Sequence, residues 1–290
     1  MVRTNISTIR PRQTSFPERL KHLSQIPDQL HVVGRELSGI LDNPVVGIVG
    51  SRKVSNYGRS TTHDFASSLA RRGVVIVSGL ALGVDSIAHR ACLEANGATI
   101  AVLPCGQDKI YPASHSGLAK SIVNHEGTLL SEYSGNEQPM RHYFIARNRI
   151  IAALSDVLLV TEAAQNSGSL YTANFALELG KPVFAVPGPI GSPTSKGTNS
   201  LIKSGAYPAL APEDILEELG ISQTLKQTQA YLPESKAEAV IIKLLGQGIH
   251  DGAQLLSKSG LEPASFQQHL SLLEIKGAIQ AGGNNTWSLK

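Results

Sequence analysis

Short apolar runs alternate with amphipathic helical patterns along most of the chain. Val45–Val49 is a β-branched run without a polar face, which is typical of a strand buried on both sides. Similar runs predict further strands at residues 74–77, 99–103, 128–131, 157–161 and 183–186. Helical patterns separate them, first from about Ser60 and then at residues 84–96, 114–125, 144–154 and 169–179. The alternation predicts an α/β fold, with a parallel sheet and helices on both of its faces.

The two ends of the chain depart from this alternation. Residues 1–15 are polar and predicted to be loose, and residues 16–30 predict a short helix that Pro27 ends. Residues 222–233 are polar and poor in core-forming side chains, as in a linker. The tail predicts three helices followed by a hairpin that turns at residues 282–285, which is the pattern of a winged helix-turn-helix.

These patterns predict four parts: an N-terminal extension (1–44), a core α/β domain (45–221), a linker (222–233) and a winged-helix domain (234–290). The candidate recognition helix of the tail exposes uncharged polar residues and has no Arg or Lys before Lys276. Phosphate contacts normally come from Lys and Arg. A protein contact or a weak DNA role is therefore as well supported as duplex recognition, and a purely structural domain stays open.

The loop after the first core strand is the most distinctive segment. Gly50-Ser51-Arg52-Lys53 leads from that strand towards a helix, and backbone N–H groups at such a junction can hold an anion. The glycine spacing matches neither the dinucleotide-binding fingerprint nor the Walker loop. From these residues alone, a phosphate-binding loop and an ordinary loop with two solvated cations are equally supported.

Four polar, glycine-containing loops follow predicted parallel strands. In parallel sheets ligands bind beyond the carboxyl ends of the strands. Since all four loops follow strands of one sheet, we expect them to meet along one edge. The loops are residues 50–52, 79–83, 106–109 and 165–169.

Residues 141–149 combine three arginines with Tyr143 and Phe144 at the start of a predicted helix. Unpaired nucleic acid is bound by this mixture, because cations contact phosphates and aromatic rings stack on bases. Alternatively, the rings are core anchors and Arg147 or Arg149 pairs with a carboxylate. Lys109 and Lys196 could add charge at the same edge, although each alone is more often a solvated lysine.

Composition narrows the class of protein. The chain has 290 residues, 41% of them hydrophobic, and a net charge of +3, so no strong basic excess marks a DNA-binding protein. No apolar run approaches the ~20 residues of a membrane helix, and no signal peptide is recognisable. Two cysteines without a Cys-x-x-Cys spacing, and nine histidines without ligand spacing, favour a cytoplasmic protein that binds no metal.

Catalytic chemistry has little support in the sequence. Asp85 and Glu162 fall near the predicted edge and are candidate carboxylates of a hydrolase. Asp85 equally suits the first turn of a helix, where a carboxylate interacts favourably with the macrodipole. Glu162 is the better acid–base candidate, but a single carboxylate is a weak signal.

Taken together, the motifs resemble the DNA-processing protein A family (DprA/Smf). The resemblance runs in colinear order from Phe16 to Leu216, through Gly50-Ser51-Arg52, Ser78-Gly79-Leu80-Ala81, Tyr111-Pro112, Arg147-Asn148-Arg149, Ser167-Gly168-Ser169 and Gly197-Thr198-Asn199. Ile145 departs from it, because a proline usually follows the phenylalanine.

The resemblance implies an extended Rossmann-like domain that binds single-stranded DNA, forms a homodimer, protects incoming DNA in natural transformation and loads the RecA recombinase. It implies no reaction and no cofactor. The DNA contacts expected from the resemblance and from the residues are Arg52, Lys109, Arg141, Phe144, Arg147, Ser167, Gly168 and Lys196. The alternative is a phosphoribohydrolase acting on nucleoside monophosphates through Glu162, although the Pro-Gly-Gly-x-Gly-Thr loop expected of such enzymes is missing.

Overall fold

A computed structural model describes residues 6–221, 233, 235–283 and 285–289. Packing divides the chain into two units, Met1–Ser222 and Gln223–Lys290. Apart from Pro233, the predicted linker lies outside the described residues, as does Asn284 of the predicted hairpin turn. No helix in the described part of the chain is both long and apolar enough to cross a membrane.

One sheet forms the centre of the first unit. Its order is β1-β2-β6-β5-β4-β3-β7-β8-β9, and every pairing from β6 to β9 is parallel. Sequence order reverses between β3 and β7, which makes this point the topological switch of the sheet. The strands are β1 (Ile6–Ile9), β2 (Leu30–Gly34), β3 (Val45–Val49), β4 (Val75–Ser78), β5 (Thr99–Leu103), β6 (Thr128–Ser131), β7 (Val157–Val160), β8 (Val183–Ala185) and β9 (Tyr207–Pro208).

Helices pack on both faces of this sheet, as the α/β pattern predicts. β3 illustrates why a strand that is buried on both faces gives a continuous apolar run in the sequence. Val45 and Val49 belong to the core cluster on one face of the sheet, and Val46 and Ile48 belong to the cluster on the other face. Each such buried side chain contributes roughly 1.5–3 kcal/mol to folding. The helices are α1 (Leu37–Ile40), α2 (Asn56–Arg71), α3 (Val84–Glu94), α4 (Ser116–Asn124), α5 (Arg141–Leu154), α6 (Ser169–Glu178), α7 (Lys196–Lys203) and α8 (Pro212–Glu218).

The N-terminal segment differs from its prediction. Residues 6–9, predicted to be loose, form β1, which pairs antiparallel with β2, and β2 pairs antiparallel with β6. The predicted helix over residues 16–30 is wrong: only Glu18–Leu20 forms one turn of 3-10 helix. The core holds this segment instead, because Phe16, Leu20 and Leu23 are buried within it.

The second unit has three helices and a two-stranded antiparallel hairpin, in the predicted order. These are α9 (Lys236–Gly246), α10 (Gly252–Ser259), α11 (Pro263–Ile275), β10 (Ile279–Gly283) and β11 (Thr286–Leu289). Leu255, Phe266 and Leu273 are among the side chains of its small core. Gln267 and Gln268 of α11 are exposed, whereas Ser265 and His269 are half-buried.

Candidate nucleic-acid interface

A groove of about 920 Å³ runs along the carboxyl ends of the parallel strands. The loops after β3, β4, β7 and β8 contribute to its walls, and so do the first turns of α5, α6 and α7. Backbone hydrogen bonds fix the loop after β3: Ser51 N–H donates to the carbonyl oxygen of Glu162 at 2.7 Å, and Val84 N–H donates to that of Ser51 at 3.1 Å. Three chain segments are therefore tied together where the sheet order reverses.

Gly83 allows the loops after β3 and β4 to approach this closely. Its φ of +78° lies in the left-handed region that favours glycine. A Cβ atom at this position would lie 2.2 Å from the carbonyl oxygen of Ser51 and 2.8 Å from that of Arg52. A glycine here lets the loop that carries Arg52 rest against the start of α3.

Seven of the eight predicted contact residues line this groove. They come from four separate parts of the sequence, so the fold assembles them. They are Arg52, Arg141, Phe144, Arg147, Ser167, Gly168 and Lys196.

The exposed charges of the groove are positive. Arg52, Lys53, Arg141 and Lys196 are exposed, and none of them forms an ion pair within the described part of the chain. Asp85 is the one carboxylate among the lining residues that the structure describes. The groove therefore presents cations to an incoming anion with little opposing charge at its surface.

Asp85 is directed at the protein backbone rather than at solvent. Its Oδ2 atom accepts hydrogen bonds from the N–H groups of Gly79 at 3.2 Å and Ala81 at 3.4 Å. Burial raises the pKa of this carboxyl, which makes its negative charge harder to maintain. Asp85 thus holds the backbone of the loop after β4 in place.

Phe144 forms an aromatic wall of the groove and is half-buried. The guanidinium carbon of Arg52 lies 5.0 Å from its ring centroid, a cation–π distance. The ring of Tyr111 meets Phe144 edge-to-face, with centroids 5.5 Å apart. A cation and a supported aromatic ring therefore stand side by side, but the cation comes from the loop after β3 and not from residues 141–149. Tyr143, the other ring of that segment, stacks on Tyr133 with centroids 3.8 Å apart.

Three helices begin at residues that line the groove: Arg141, Ser169 and Lys196. Their N-cap residues make no side-chain capping hydrogen bond. Some of their first-turn N–H groups are already bonded within the protein: Gly197 N–H donates to the carbonyl oxygen of Ala163 at 2.7 Å, and Leu170 N–H donates to that of Ser167 at 3.1 Å. The positive end of each helix dipole still favours an anion beside it. These N-termini add to the charge of the exposed lysines and arginines.

Arg147 is placed differently from its prediction as a DNA contact. Its side chain is 4% exposed, and Nη1 donates to the carbonyl oxygens of Gly79 and Val102, each at 2.5 Å. Burial lowers the pKa of this guanidinium to about 10, so it stays charged at neutral pH. Arg147 therefore supports the groove from beneath, because Nη1 is committed to the two carbonyls and Nε donates to Oδ1 of Asn148 at 3.1 Å.

Arg149 takes the alternative role foreseen for this segment. It forms a bidentate ion pair with Glu132, with nitrogen–oxygen distances of 2.6 and 2.9 Å, and both side chains are largely buried. Of the three arginines in residues 141–149, only Arg141 is exposed in the groove.

Lys109 and Glu162 lie outside the groove lining. Lys109 is exposed on the loop after β5, which reaches the groove through the contact between Tyr111 and Phe144. Glu162 is 2% exposed, and its Oε2 atom accepts the N–H of Ser55, the N-cap residue of α2, at 2.8 Å. Its carboxylate holds the start of α2 and gives no support to a hydrolytic role in the groove.

Several residues that line the groove were not among the contacts predicted from the sequence. They include Tyr171, Asn148, Asn166 and Thr194. Tyr171 follows Ser167-Gly168-Ser169 within one helical turn, and that proximity is the signal that could have identified it. No group of three or more His, Cys, Asp or Glu side chains suited to a metal ion occurs among the described residues.

The fold and the groove define a Rossmann-like α/β protein with a cationic cleft at the carboxyl ends of its strands. The family model for DNA recombination-mediator protein A matches residues 7–220, and the chain belongs to that family. Protein Smf of Escherichia coli is 47% identical over 204 residues, which are 70% of this chain and 54% of that protein. DNA processing protein DprA of Bacillus subtilis is 39% identical over 214 residues, 74% of this chain and 71% of that protein.

Two solved structures share the fold. DNA processing protein A from Streptococcus pneumoniae has a TM-score of 0.69 and 37% identity, covering 73% of this chain and 74% of that one. A structure that concerns the single-stranded DNA binding mode of DNA processing protein A from Helicobacter pylori has a TM-score of 0.67 and 35% identity, covering 75% of this chain and 96% of that one. The chain spans about half the length of the E. coli relative.

Proposed function

We propose that this protein binds single-stranded DNA in the groove, without catalysing a reaction on it. The observation that carries the proposal is that Arg52, Arg141 and Lys196, all exposed and without ion-pair partners in the described chain, line one groove together with the ring of Phe144. Cations neutralise phosphates irrespective of sequence, and an exposed ring stacks on a base that has no partner. The H. pylori relative, whose structure concerns single-stranded DNA binding, supports the same assignment.

An unpaired strand suits this groove better than a duplex does. The ring of Phe144 lies in a cleft between loops, and in a duplex each base face is covered by its neighbours in the stack. An unpaired base can turn into the cleft, and stacking on an aromatic ring is worth about 1–3 kcal/mol per base. The mixture of ring and cations therefore discriminates by strandedness rather than by sequence.

In the cell, the proposed role is to protect incoming DNA during natural transformation and to load the RecA recombinase onto it, in the cytoplasm. We further propose a homodimer through the Rossmann-like domain and a winged-helix identity for residues 234–290. The family membership supports the role in recombination. Loading would be measured as faster RecA filament formation on an oligonucleotide in the presence of this protein, and no acceleration would contradict it.

Arg52→Ala is expected to weaken binding of unrelated single-stranded oligonucleotides roughly tenfold to hundredfold. The reason is that a charge-assisted hydrogen bond is worth about 1.5–3 kcal/mol, and 1.4 kcal/mol is tenfold in affinity. The slope of log affinity against log salt should also fall by about 0.7, which corresponds to one phosphate. Fluorescence anisotropy with two unrelated sequences at several salt concentrations measures both quantities.

The matched control is Arg72→Ala, which removes the same charge from an exposed position just beyond the end of α2. α2 leads into β4, so Arg72 lies at the amino end of the strands, away from the groove. This variant should bind like the unmodified protein. Equal weakening by both substitutions would mean that binding follows net charge and would contradict the groove as the site.

A further inference from the structure

Tyr171 is an exposed aromatic residue in the groove that the sequence motifs did not single out. It lies in the first turn of α6, two residues after Ser169, and its side chain is 52% exposed. It lines the same groove as Phe144 and Lys196. An aromatic ring in a cationic groove has the chemistry that recognises an unpaired nucleobase.

The side chain of Tyr171 also has no aromatic or hydrogen-bonding partner among the described residues. The other tyrosines in the described chain each have a partner: Tyr111 meets Phe144, Tyr133 stacks on Tyr143, Tyr207 stacks on Phe184, and the hydroxyl of Tyr57 donates to a backbone carbonyl. Tyr171 has neither a ring contact nor a hydrogen bond among the described residues. Both its face and its hydroxyl are available to a ligand.

Tyr171 and Phe144 belong to different parts of the groove wall. Phe144 lies in the first turn of α5 and contacts residues from the loops after β3 and β5. Tyr171 lies in the first turn of α6, the helix that connects β7 with β8. The two rings are therefore separate aromatic surfaces of one groove.

We propose that Tyr171 forms a second base-stacking site for the unpaired strand, separate from the site at Phe144. This inference rests on the proposed function of the groove. The same groove is lined by the exposed cations Arg52, Arg141 and Lys196. The strand would thus be held by two stacked bases and by contacts of its phosphates with these cations.

The test compares Tyr171→Ala, Tyr171→Phe and Leu177→Ala in binding to a single-stranded oligonucleotide. Leu177 is the matched control, because it is 53% exposed on the same helix and does not line the groove. Tyr171→Ala should weaken binding about fivefold or more, the lower end of the stacking range. Tyr171→Phe should recover most of the affinity that Tyr171→Ala loses, since the ring does the stacking. Leu177→Ala, outside the groove, should bind like the unmodified protein.

A series of oligonucleotides with one abasic site at each successive position locates the two contacts. In the shortest oligonucleotide that is bound at full affinity, which leaves a single binding register, the unmodified protein should lose affinity at two separate positions. Tyr171→Ala should become insensitive at one of them, and Phe144→Ala at the other. Loss of both sensitivities in a single variant would overturn the second site.

The outcomes separate this inference from the proposed function. If Arg52→Ala weakens binding and Tyr171→Ala does not, the groove binds DNA and the second stacking site is wrong. If the unmodified protein shows no salt-dependent binding to single-stranded DNA, the proposed function itself fails.

Discussion

Arg147→Met is expected to lower the free energy of unfolding by about 2–6 kcal/mol. The guanidinium donates to two buried carbonyl oxygens, of Gly79 and Val102, and a buried polar group left without a partner costs about 1–3 kcal/mol. Methionine fills a similar volume but donates no hydrogen bond, so both carbonyls lose a donor. Urea denaturation monitored by circular dichroism measures the loss.

The control for this substitution is Arg141→Met on the same helix. Arg141 is exposed at the first position of α5, and surface substitutions usually stay within about 0.5 kcal/mol. The two variants should therefore change different properties. Arg147→Met should lower the free energy of unfolding, whereas Arg141→Met should lower DNA affinity while the fold is retained. Equal stability of the two variants would contradict the structural role of Arg147.

Gly83→Ala is expected to cost both stability and DNA affinity. A Cβ atom would lie 2.2 Å from the carbonyl oxygen of Ser51, and the φ of +78° adds strain of about 1–3 kcal/mol for a residue with a side chain. The clash is with backbone, so the loop that carries Arg52 has to shift. We expect a lower midpoint in urea, together with weaker binding of single-stranded DNA at a concentration where the variant is still folded.

Gly117→Ala provides the comparison. Gly117 lies within α4, and a Cβ atom there has no heavy atom within 4 Å. Gly117 is the second residue of α4, so the roughly 0.5–1 kcal/mol by which alanine is favoured over glycine in a helix interior is an upper limit there. This variant should be at least as stable as the unmodified protein and bind DNA normally. If both glycine substitutions lowered stability and DNA affinity equally, the close approach at Gly83 would not determine the position of the loop that carries Arg52.

The central strands were predictable from the sequence because they are buried on both faces. β3 and β7 read as uninterrupted apolar runs, and the predicted strands overlap those of the structure. The edge strands β1 and β9 could not be found in this way. β1 mixes polar and apolar residues in a short segment and is held by its pairing with β2. β9 has only two residues, and both are exposed. Such strands depend on contacts with partners distant in sequence.

The candidate site was predictable as a set of loops but not side chain by side chain. Topology alone brings the loops after parallel strands to one edge, which is why Arg52 and Lys196 meet there. Sequence spacing cannot tell which arginine of residues 141–149 turns inward. Arg147 is buried because it lies one and a half turns into α5, under the loop after β4, whereas Arg141 begins the helix and is exposed. The roles differ although the residue type is the same.

The most direct measurement of the central claim is the affinity of the unmodified protein for a single-stranded oligonucleotide and for its duplex, each at two or more salt concentrations. Four exposed cations, each neutralising one phosphate, predict that single-strand affinity falls by about 3 log units per log unit of salt. Because an unpaired base can stack on Phe144, the single strand should also bind more tightly than the duplex at every salt concentration. Equal affinity for both forms, or binding that does not change with salt, would contradict the assignment of this groove to an unpaired strand.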